Sequence, residues 1–349
     1  MYPGNTDVIK CPSCGTLQKR ETLASGNTCG AVYYSDGQMD APMLKAYPYF
    51  VQCPSCGVFL KLNKEVVIGE IPVFLNDWSC EPNIFKIPMF LRGITRYMFP
   101  KWSSTSYRKP KCAEPYKSEW LNAPYGEFLN IDGYCQAIEK GLYNSGSKDS
   151  EEWKGDILSL RIMLWRAFND RNRIVKNEDW EEFDHDDGIG DRDTKTRQEG
   201  TKMNEEEQKV VYDANCRAIL AAMADAHDDE SLLVRAELHR NLGEFDQCVD
   251  LLNQIKDQNE YRPYIASIRK ACTSKNTLTV PVIDWEDIFE AAQYGDVQDV
   301  KYLIEKGIDV NVKDYCHGFT PLDVAKGSRR TEVVEYLESI GAKSGDELP

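Results

Sequence analysis

The string Cys-Pro-Ser-Cys-Gly occurs twice in this chain, at residues 11–15 and at residues 53–57. Each copy places two thiols in one tight turn, which Pro stiffens, and Gly permits a backbone conformation in which amides point at the sulfurs. Together they supply enough sulfur to close a tetrahedral zinc site, with the ligands Cys11, Cys14, Cys53 and Cys56. Four protein ligands leave no open position for a substrate, so the pattern predicts one structural zinc ion per chain.

The paired cysteine turns resemble those of zinc-ribbon proteins, and the resemblance covers about the first 60 residues. It implies a small β fold, which we assign to residues 1–64 as an enlarged zinc ribbon. The segment between the turns contains a strand-like stretch at residues 31–34 and a turn at residues 35–37, and we expect this insertion to pack on the zinc core. Cys29 and Cys80 remain alternative ligands, although each lacks a neighbouring Cys or His and suits a buried apolar position.

The composition and charge of the chain limit the cellular compartments and the kinds of binding partner that it suits. The sequence holds 12 Cys in 349 residues, but its first residues lack the basic start and apolar run of a secretory leader. The chain also lacks an apolar stretch long enough to span a membrane. We therefore expect a cytoplasmic protein with reduced thiols and no membrane span. The net charge of −15 divides into +5 up to Cys112 and −20 beyond it. This balance opposes general nucleic-acid binding but leaves contact through the N-terminal third open.

Residues 65–117 read as a Pro-rich basic-aromatic connector, in which Pro residues interrupt the apolar runs. Within it, residues 90–111 interleave cations with aromatic side chains. Such a stretch either stacks on bases while pairing with phosphates, or wraps a neighbouring domain with its aromatics inward and its cations outward. Both interpretations remain open.

Residues 118–280 have the pattern of a helical domain, clearest at residues 151–173, where apolar side chains recur at mostly three- and four-residue steps. Residues 160–171, Leu-Arg-Ile-Met-Leu-Trp-Arg-Ala-Phe-Asn-Asp-Arg, are similar to a signature of uncharacterised bacterial zinc-ribbon proteins. That resemblance implies no activity. An acidic loop at residues 178–207 interrupts the domain; nine of the sixteen residues 178–193 are Asp or Glu, which is typical of a solvated loop.

Residues 232–255 resemble a single tetratricopeptide-type helical hairpin. The matching residues are Ala236, Leu242, Gly243, Phe245 and Leu251, with Cys248 where that family prefers Ala. The resemblance implies that Gly243 ends the first helix and that Phe245 and Leu251 fill the cleft between the two helices.

Residues 281–349 resemble two ankyrin repeats. Residues 320–325, Thr-Pro-Leu-Asp-Val-Ala, match the family's Thr-Pro-Leu-His-x-Ala, with Asp323 in the His position. Thr320 can cap the helix that Pro321 begins, because Pro lacks the amide that is unsatisfied at a helix start. Two repeats bury too small a core to stand alone, so we expect the pair to stack on the preceding helices, with residues 256–273 as the contact.

The sequence shows no catalytic constellation. It has no glycine-rich phosphate loop, no Gly-x-Ser-x-Gly elbow and no His-Glu-x-x-His motif. The histidines, which share no metal-binding spacing, are His185, His227, His239 and His317. We therefore expect a mostly α, multidomain α+β protein that is not an enzyme and acts as an interaction scaffold, with another protein as its partner.

An ankyrin hairpin tip presents side chains to a partner, so Tyr315, His317 and Phe319 form a candidate contact patch; the alternative is that they cap the stack. Two other functions remain open. One is nucleic-acid binding through the ribbon and residues 90–111, whose mark would be binding that weakens steeply with salt. The other is an immunity-type protein, in which acidic residues 178–193 mimic nucleic acid toward a basic toxin.

Overall fold

A computed structural model describes residues 2–72, 118–173 and 201–348, apart from residues 29, 42, 43, 45, 148, 149, 286, 296 and 316. The stretches 90–111 and 178–193, and the cysteines Cys29 and Cys80, lie outside these described residues. The chain separates into two compact units, Met1–Val32 with Met39–Asp225, and Tyr33–Gln38 with Ala226–Pro349. Helices predominate, with short antiparallel strands at the N-terminal end, which confirms the expected fold class.

The strands are short because Pro, Gly and the two cysteine turns interrupt them. β2 lies between β3 and β9 in an antiparallel sheet, with Lys10 opposite Leu17 and Thr6 opposite Ile71, and β7 forms an antiparallel hairpin with β8. The strands are β1 (Tyr2–Pro3), β2 (Thr6–Lys10), β3 (Leu17–Arg20), β4 (Leu23–Ser25), β5 (Val32–Tyr34), β6 (Met39–Asp40), β7 (Phe50–Gln52), β8 (Phe59–Lys61), β9 (Val67–Ile71) and β10 (Pro281–Val282).

The first unit adds four helices among the described residues: α1 (Ser118–Leu121), α2 (Ile131–Lys140), α3 (Glu151–Asn169) and α4 (Glu205–Ala222). Polar side chains cap three of them, since Asn130, Ser150 and Asn204 each accept a hydrogen bond from a first-turn amide. Within the apolar stripe expected along residues 151–173, the buried side chains are Leu160, Leu164, Trp165 and Phe168 of α3. Among the described residues, no helix is both long and apolar enough to cross a membrane.

The β7–β8 hairpin and these helices share a core. Phe50 and Phe59 belong to the same buried cluster as Tyr134 of α2 and Leu160 of α3. Polar contacts reinforce the junction, because Lys61 Nζ lies 2.6 Å from the buried carboxylate of Asp156. The helices therefore support the hairpin that carries Cys53 and Cys56.

In the second unit, the expected helical hairpin is present as α5 (Asp229–Asn241) and α6 (Phe245–Leu252), followed by α7 (Arg262–Thr273). Gly243 has a φ of 78°, a left-handed conformation that suits Gly at the turn between the two helices. The apolar cluster of this part includes Ala236, Cys248, Leu251 and Ile268.

Residues 33–38 pack in the second unit, not on the cysteine core where the sequence placed them. β5 pairs with β10, so that Tyr34 lies opposite Pro281. The Ser35 amide donates to the Val280 carbonyl at 2.9 Å, and the Val280 amide donates back to Ser35 Oγ at 3.1 Å. The turn is held in the second unit because its polar groups form hydrogen bonds with residues that are distant in sequence.

A buried ion pair lies beside this turn. Glu237 and Arg240, one helical turn apart in α5, are both fully buried, and Arg240 Nε donates to Glu237 Oε2 at 2.8 Å. Ser35 Oγ donates to Glu237 Oε1 at 2.6 Å, and Arg240 also donates to the Asn276 carbonyl. Burial raises the pKa of Glu237, and the hydrogen bonds from Arg240 and Ser35 oppose that rise.

The ankyrin segment forms two helix pairs, α8 (Ile288–Tyr294) with α9 (Val297–Glu305) and α10 (Pro321–Gly327) with α11 (Thr331–Ser339). Ala291, Leu303, Ala325 and Leu337 are all buried in one cluster. Arg329, at the turn between α10 and α11, has a φ of 57°, a left-handed conformation that is uncommon for residues other than Gly.

Arg262 of α7 makes the expected contact between residues 256–273 and the ankyrin pair. Its guanidinium lies 2.8 Å from Asp284 and 3.0 Å from Asp299, and its Cζ lies 3.6 Å from the centre of the Tyr302 ring. The side chains of Arg262 and Asp299 are 13% and 10% exposed, so this pair interacts away from bulk solvent, whereas Asp284 is 57% exposed.

A fragment of residues 281–349 expressed alone is expected to show no cooperative thermal transition by circular dichroism. It lacks Arg262 and so leaves Asp299 without that partner, and two repeats fall short of the three or so that ankyrin stacks need. In the full chain, Arg262→Met is expected to speed hydrogen exchange in residues 284–305, whereas Arg269→Met, on the same helix, should not. A cooperative melt of the fragment would contradict this expectation.

Candidate metal centre and interaction surface

The two cysteine turns have the same backbone geometry. Each begins directly after a strand, β2 or β7, and leads into the antiparallel partner, β3 or β8. The Gly15 amide donates to the Cys11 carbonyl at 2.8 Å, and the Gly57 amide donates to the Cys53 carbonyl at 2.9 Å. Both glycines are left-handed, with φ of 78° and 72°. The repeated string therefore folds into a repeated turn.

The four predicted ligands converge. Their sulfur atoms all lie within 4.8 Å of one another, and no other group of this kind occurs in the described part of the chain. The Sγ atoms of Cys11 and Cys56 are 3.7 Å apart, and those of Cys14 and Cys53 are 3.6 Å apart. A tetrahedron with metal–sulfur bonds of about 2.3 Å has edges of about 3.8 Å. The donor set thus fits one tetrahedral metal ion, and four thiolates are ligands that zinc accepts.

The environment of the thiols is asymmetric. Cys11 and Cys53 are buried in the cluster of the sheet, while Cys14 and Cys56 are exposed. Burial raises the pKa of the Cys11 thiol to about 12, whereas the Thr16 hydroxyl, 3.2 Å from Cys14 Sγ, lowers the pKa of Cys14 to about 6. A coordinated divalent cation deprotonates its thiol ligands outright. The arrangement can therefore cross-link two hairpins through a metal, with no position left for a substrate.

At the other end of the chain, the candidate contact residues lie on the hairpin tip between the two ankyrin helix pairs. Tyr315 is fully exposed and Phe319 is half exposed. The rings of His317 and Phe319 stack, with centroids 5.5 Å apart and an interplanar angle of 16°. The structure thus brings His317 and Phe319 together and leaves Tyr315 in solvent.

Asp314 fixes the shape of this tip. Its carboxylate accepts hydrogen bonds from the amides of His317, at 2.7 Å, and Phe319, at 3.1 Å. The His317 amide bond lowers the pKa of Asp314. A tip held by its own hydrogen bonds presents its aromatic rings with little loss of entropy on binding.

Asp323 has a role that the sequence analysis did not assign. With Thr320 it forms a capping box at the start of α10, and its carboxylate also accepts from Ser344 Oγ at 2.6 Å and from the Gly345 amide at 2.7 Å. Asp323 therefore ties the segment after α11 to the second repeat. The Thr-x-x-Asp spacing signalled the cap, but nothing local signalled the contact with Ser344 and Gly345.

Stability of the second repeat is expected to fall as the pH drops from about 4 toward 2. Burial raises the pKa of Asp323, but hydrogen bonds from Ser344, Thr320 and Gly345 outweigh it and lower the pKa to about 2. Because the folded pKa lies below the unfolded value, the contribution is complete above pH 4 and is lost below it. After allowance for partial exposure it is about 1–2 kcal/mol.

Hydrogen exchange of residues 320–348 across this pH range measures the effect. Asp323→Asn should lower protection at pH 7 and remove most of the pH dependence between 4 and 2. The exposed Asp346→Asn variant, in the same segment, serves as the control. Equal pH profiles for wild type and Asp323→Asn would contradict the assignment.

Comparison with known proteins identifies the C-terminal part of the chain. Residues 288–338 match the family model described as ankyrin repeats in many copies. Ankyrin repeat domain-containing protein 40 of Mus musculus and the Homo sapiens protein of the same name are each 40% identical over 57 residues, which is 16% of either length. The chain thus spans a small part of the curated relatives it matches. Its C-terminal segment contains ankyrin repeats, which indicate a role in protein–protein interaction and are in general not catalytic.

Proposed function

We propose that this protein is a non-enzymatic interaction scaffold, in which the ankyrin pair binds another protein and a zinc ion stabilises the N-terminal sheet. The observation that carries the proposal is the ankyrin match at residues 288–338, together with the exposed aromatic residues on the tip between its helix pairs. Ankyrin tips present rigid side chains to a partner and supply no chemistry of their own.

The zinc ion has a structural role in this proposal. Cys11, Cys14, Cys53 and Cys56 would hold it, and the ion would supply a cross-link between the β2–β3 and β7–β8 hairpins. The apolar cluster that the two hairpins share is small, since its buried side chains are few and include two of the ligands, so such a link would stabilise both hairpins. The rest of the first unit contributes through Phe50 and Phe59.

The contact patch consists of Tyr315, His317 and Phe319. Exposed aromatic side chains are enriched where binding energy concentrates, because they bury a large area at a small entropic cost. The ankyrin segment is also strongly acidic: the sequence from Asp284 to Leu348 contains 15 Asp or Glu and 7 Lys or Arg. We therefore expect a partner with a basic face around an aromatic-binding pocket.

The variant with Tyr315, His317 and Phe319 all changed to Ala is expected to lose most partner capture while remaining folded. Removing two or three central aromatic side chains costs an interface several kcal/mol, which is a loss of at least about 100-fold in affinity. The measurement is quantitative affinity capture with the tagged full-length chain, with folding checked by circular dichroism.

The matched control changes Tyr49 and Tyr143 to Ala, because both are exposed aromatic residues of the first unit. The control should capture as much partner as the wild type. If the triple variant still captured the partner, the patch would be excluded as the binding surface. These residues would then serve only to cap the ankyrin stack.

Nucleic-acid binding and toxin neutralisation remain the alternatives. They depend on residues 90–111 and 178–193, which lie outside the described residues. Deleting residues 178–193 and retaining partner binding would remove the toxin hypothesis. Binding of nucleic acid that declines steeply with salt would favour the first alternative.

A further inference from the structure

Two cysteines of the second unit lie in contact although they are far apart in sequence. Cys248 of α6 and Cys272 of α7 have their Sγ atoms 3.4 Å apart, although the two residues are 24 positions apart along the chain. Both side chains belong to the buried cluster of the helical hairpin. Neither is a predicted metal ligand, and the four-cysteine centre belongs to the other unit.

The sulfur pair has a cation beside it. Arg240 is close enough to both thiols for a favourable charge interaction with either thiolate, while Glu237, the partner of Arg240, opposes it. The hydrogen bond between the thiols lowers the pKa of Cys272 and raises that of Cys248. In the structure Cys272 Sγ donates to Cys248 Sγ, and the nearby cation of Arg240 favours loss of a proton from this pair of thiols.

Cys272 is the more accessible of the two thiols. This residue lies in the last turn of α7 and is 8% exposed, and the following residues, Thr273 and Ser274, are exposed. The last turn of a helix opens more readily than its centre. Cys248 is fully buried.

We propose that Cys248 and Cys272 form an oxidation site for hydrogen peroxide, which converts the two thiols to a reversible disulfide between α6 and α7. The Cys272 thiolate attacks one oxygen of the peroxide and the O–O bond breaks. Hydroxide leaves and takes up a proton, and Cys272 becomes a sulfenic acid. The Cys248 sulfur then attacks the Cys272 sulfur, loses its proton, and displaces the hydroxyl group as water.

In the overall reaction, two thiols and one hydrogen peroxide molecule are converted to one disulfide and two water molecules. A disulfide closes the 24-residue loop between the two helices and constrains the unfolded chain. The oxidised protein is therefore expected to melt several degrees higher than the reduced protein. A thiol reductant should reverse both the bond and the shift.

The experiment treats the reduced full-length chain with hydrogen peroxide, quenches it, blocks free thiols and maps tryptic peptides by mass spectrometry. Trypsin places Cys248 in residues 241–256 and Cys272 in residues 271–275. The expected product is these two peptides linked and lighter by two hydrogens. It should disappear on reduction and be absent from Cys248→Ala and Cys272→Ala.

Two controls distinguish specific disulfide formation between Cys248 and Cys272 from nonspecific oxidation of cysteines. Cys216→Ala removes a buried cysteine of α4 and should leave the linked product unchanged. The urea-unfolded chain should give mixed pairings, with no preference for this one. The proposal is overturned if the folded wild type keeps both thiols free, forms a sulfinic acid at Cys272 without the link, or links either cysteine mainly to another.

Discussion

Changing Cys11 and Cys53 together to Ser is expected to abolish metal binding and to unfold the β2–β3 and β7–β8 hairpins. Zinc content, measured by plasma mass spectrometry, should fall from about one ion per chain to none. Binding to a structural four-ligand site contributes to folding by about 10 kcal/mol or more in small zinc domains, which exceeds what the buried cluster here can replace. Hydrogen exchange in β2, β3, β7 and β8 should approach the rate of an unfolded chain.

Two further experiments test whether the loss of protection is caused by the loss of the metal ion. A strong zinc chelator applied to the wild type should produce the same loss of protection without any substitution. Cys135→Ser, which changes a cysteine of α2 that is outside the four-sulfur group, should keep both metal and protection. A double variant that is fully folded and free of metal would contradict the structural role of the site.

Changing Glu237 to Gln is expected to destabilise the second unit by about 3–5 kcal/mol. The substitution keeps the side-chain shape but leaves the guanidinium of Arg240 buried without its counter-charge. Hydrogen exchange of residues 229–273 measures the loss locally, which matters because a chain of two units does not unfold in one two-state step.

The double variant Glu237→Leu, Arg240→Met tests whether the destabilisation by Glu237→Gln comes from the unpaired buried charge of Arg240. Replacing both members of a buried pair by apolar residues is often near neutral, so this variant should be more stable than Glu237→Gln. Glu151→Gln, which removes an exposed ion pair with Lys154, should have no measurable effect. If Glu237→Gln behaved like Glu151→Gln, the pair would be irrelevant to stability.

Local spacing was sufficient to predict the cysteine centre and the ankyrin helices. A Cys-x-x-Cys-Gly string determines its own turn, and two copies supply a full ligand set, so the convergence of Cys11, Cys14, Cys53 and Cys56 follows from the sequence. The Thr-Pro start of α10 is equally local, because cap and helix lie within four residues.

Long-range contacts could not be predicted in this way. The turn at residues 35–37 was recognised, yet its place in the second unit depends on Val280 and Glu237, about 200 residues away or more. The spacing of Glu237 and Arg240 is also typical of a solvated pair on a helix surface, and only their complete burial reveals a different role. Arg262 gave no local signal of its contact with the ankyrin pair.

The most direct test of the scaffold proposal is affinity capture of the tagged wild-type chain from its native lysate at low and high salt, with protein and nucleic acid both quantified. The proposal predicts one stoichiometric protein that is retained at high salt and is lost when Tyr315, His317 and Phe319 are changed to Ala. Recovery of nucleic acid at low salt alone, with no protein retained at high salt, would contradict it.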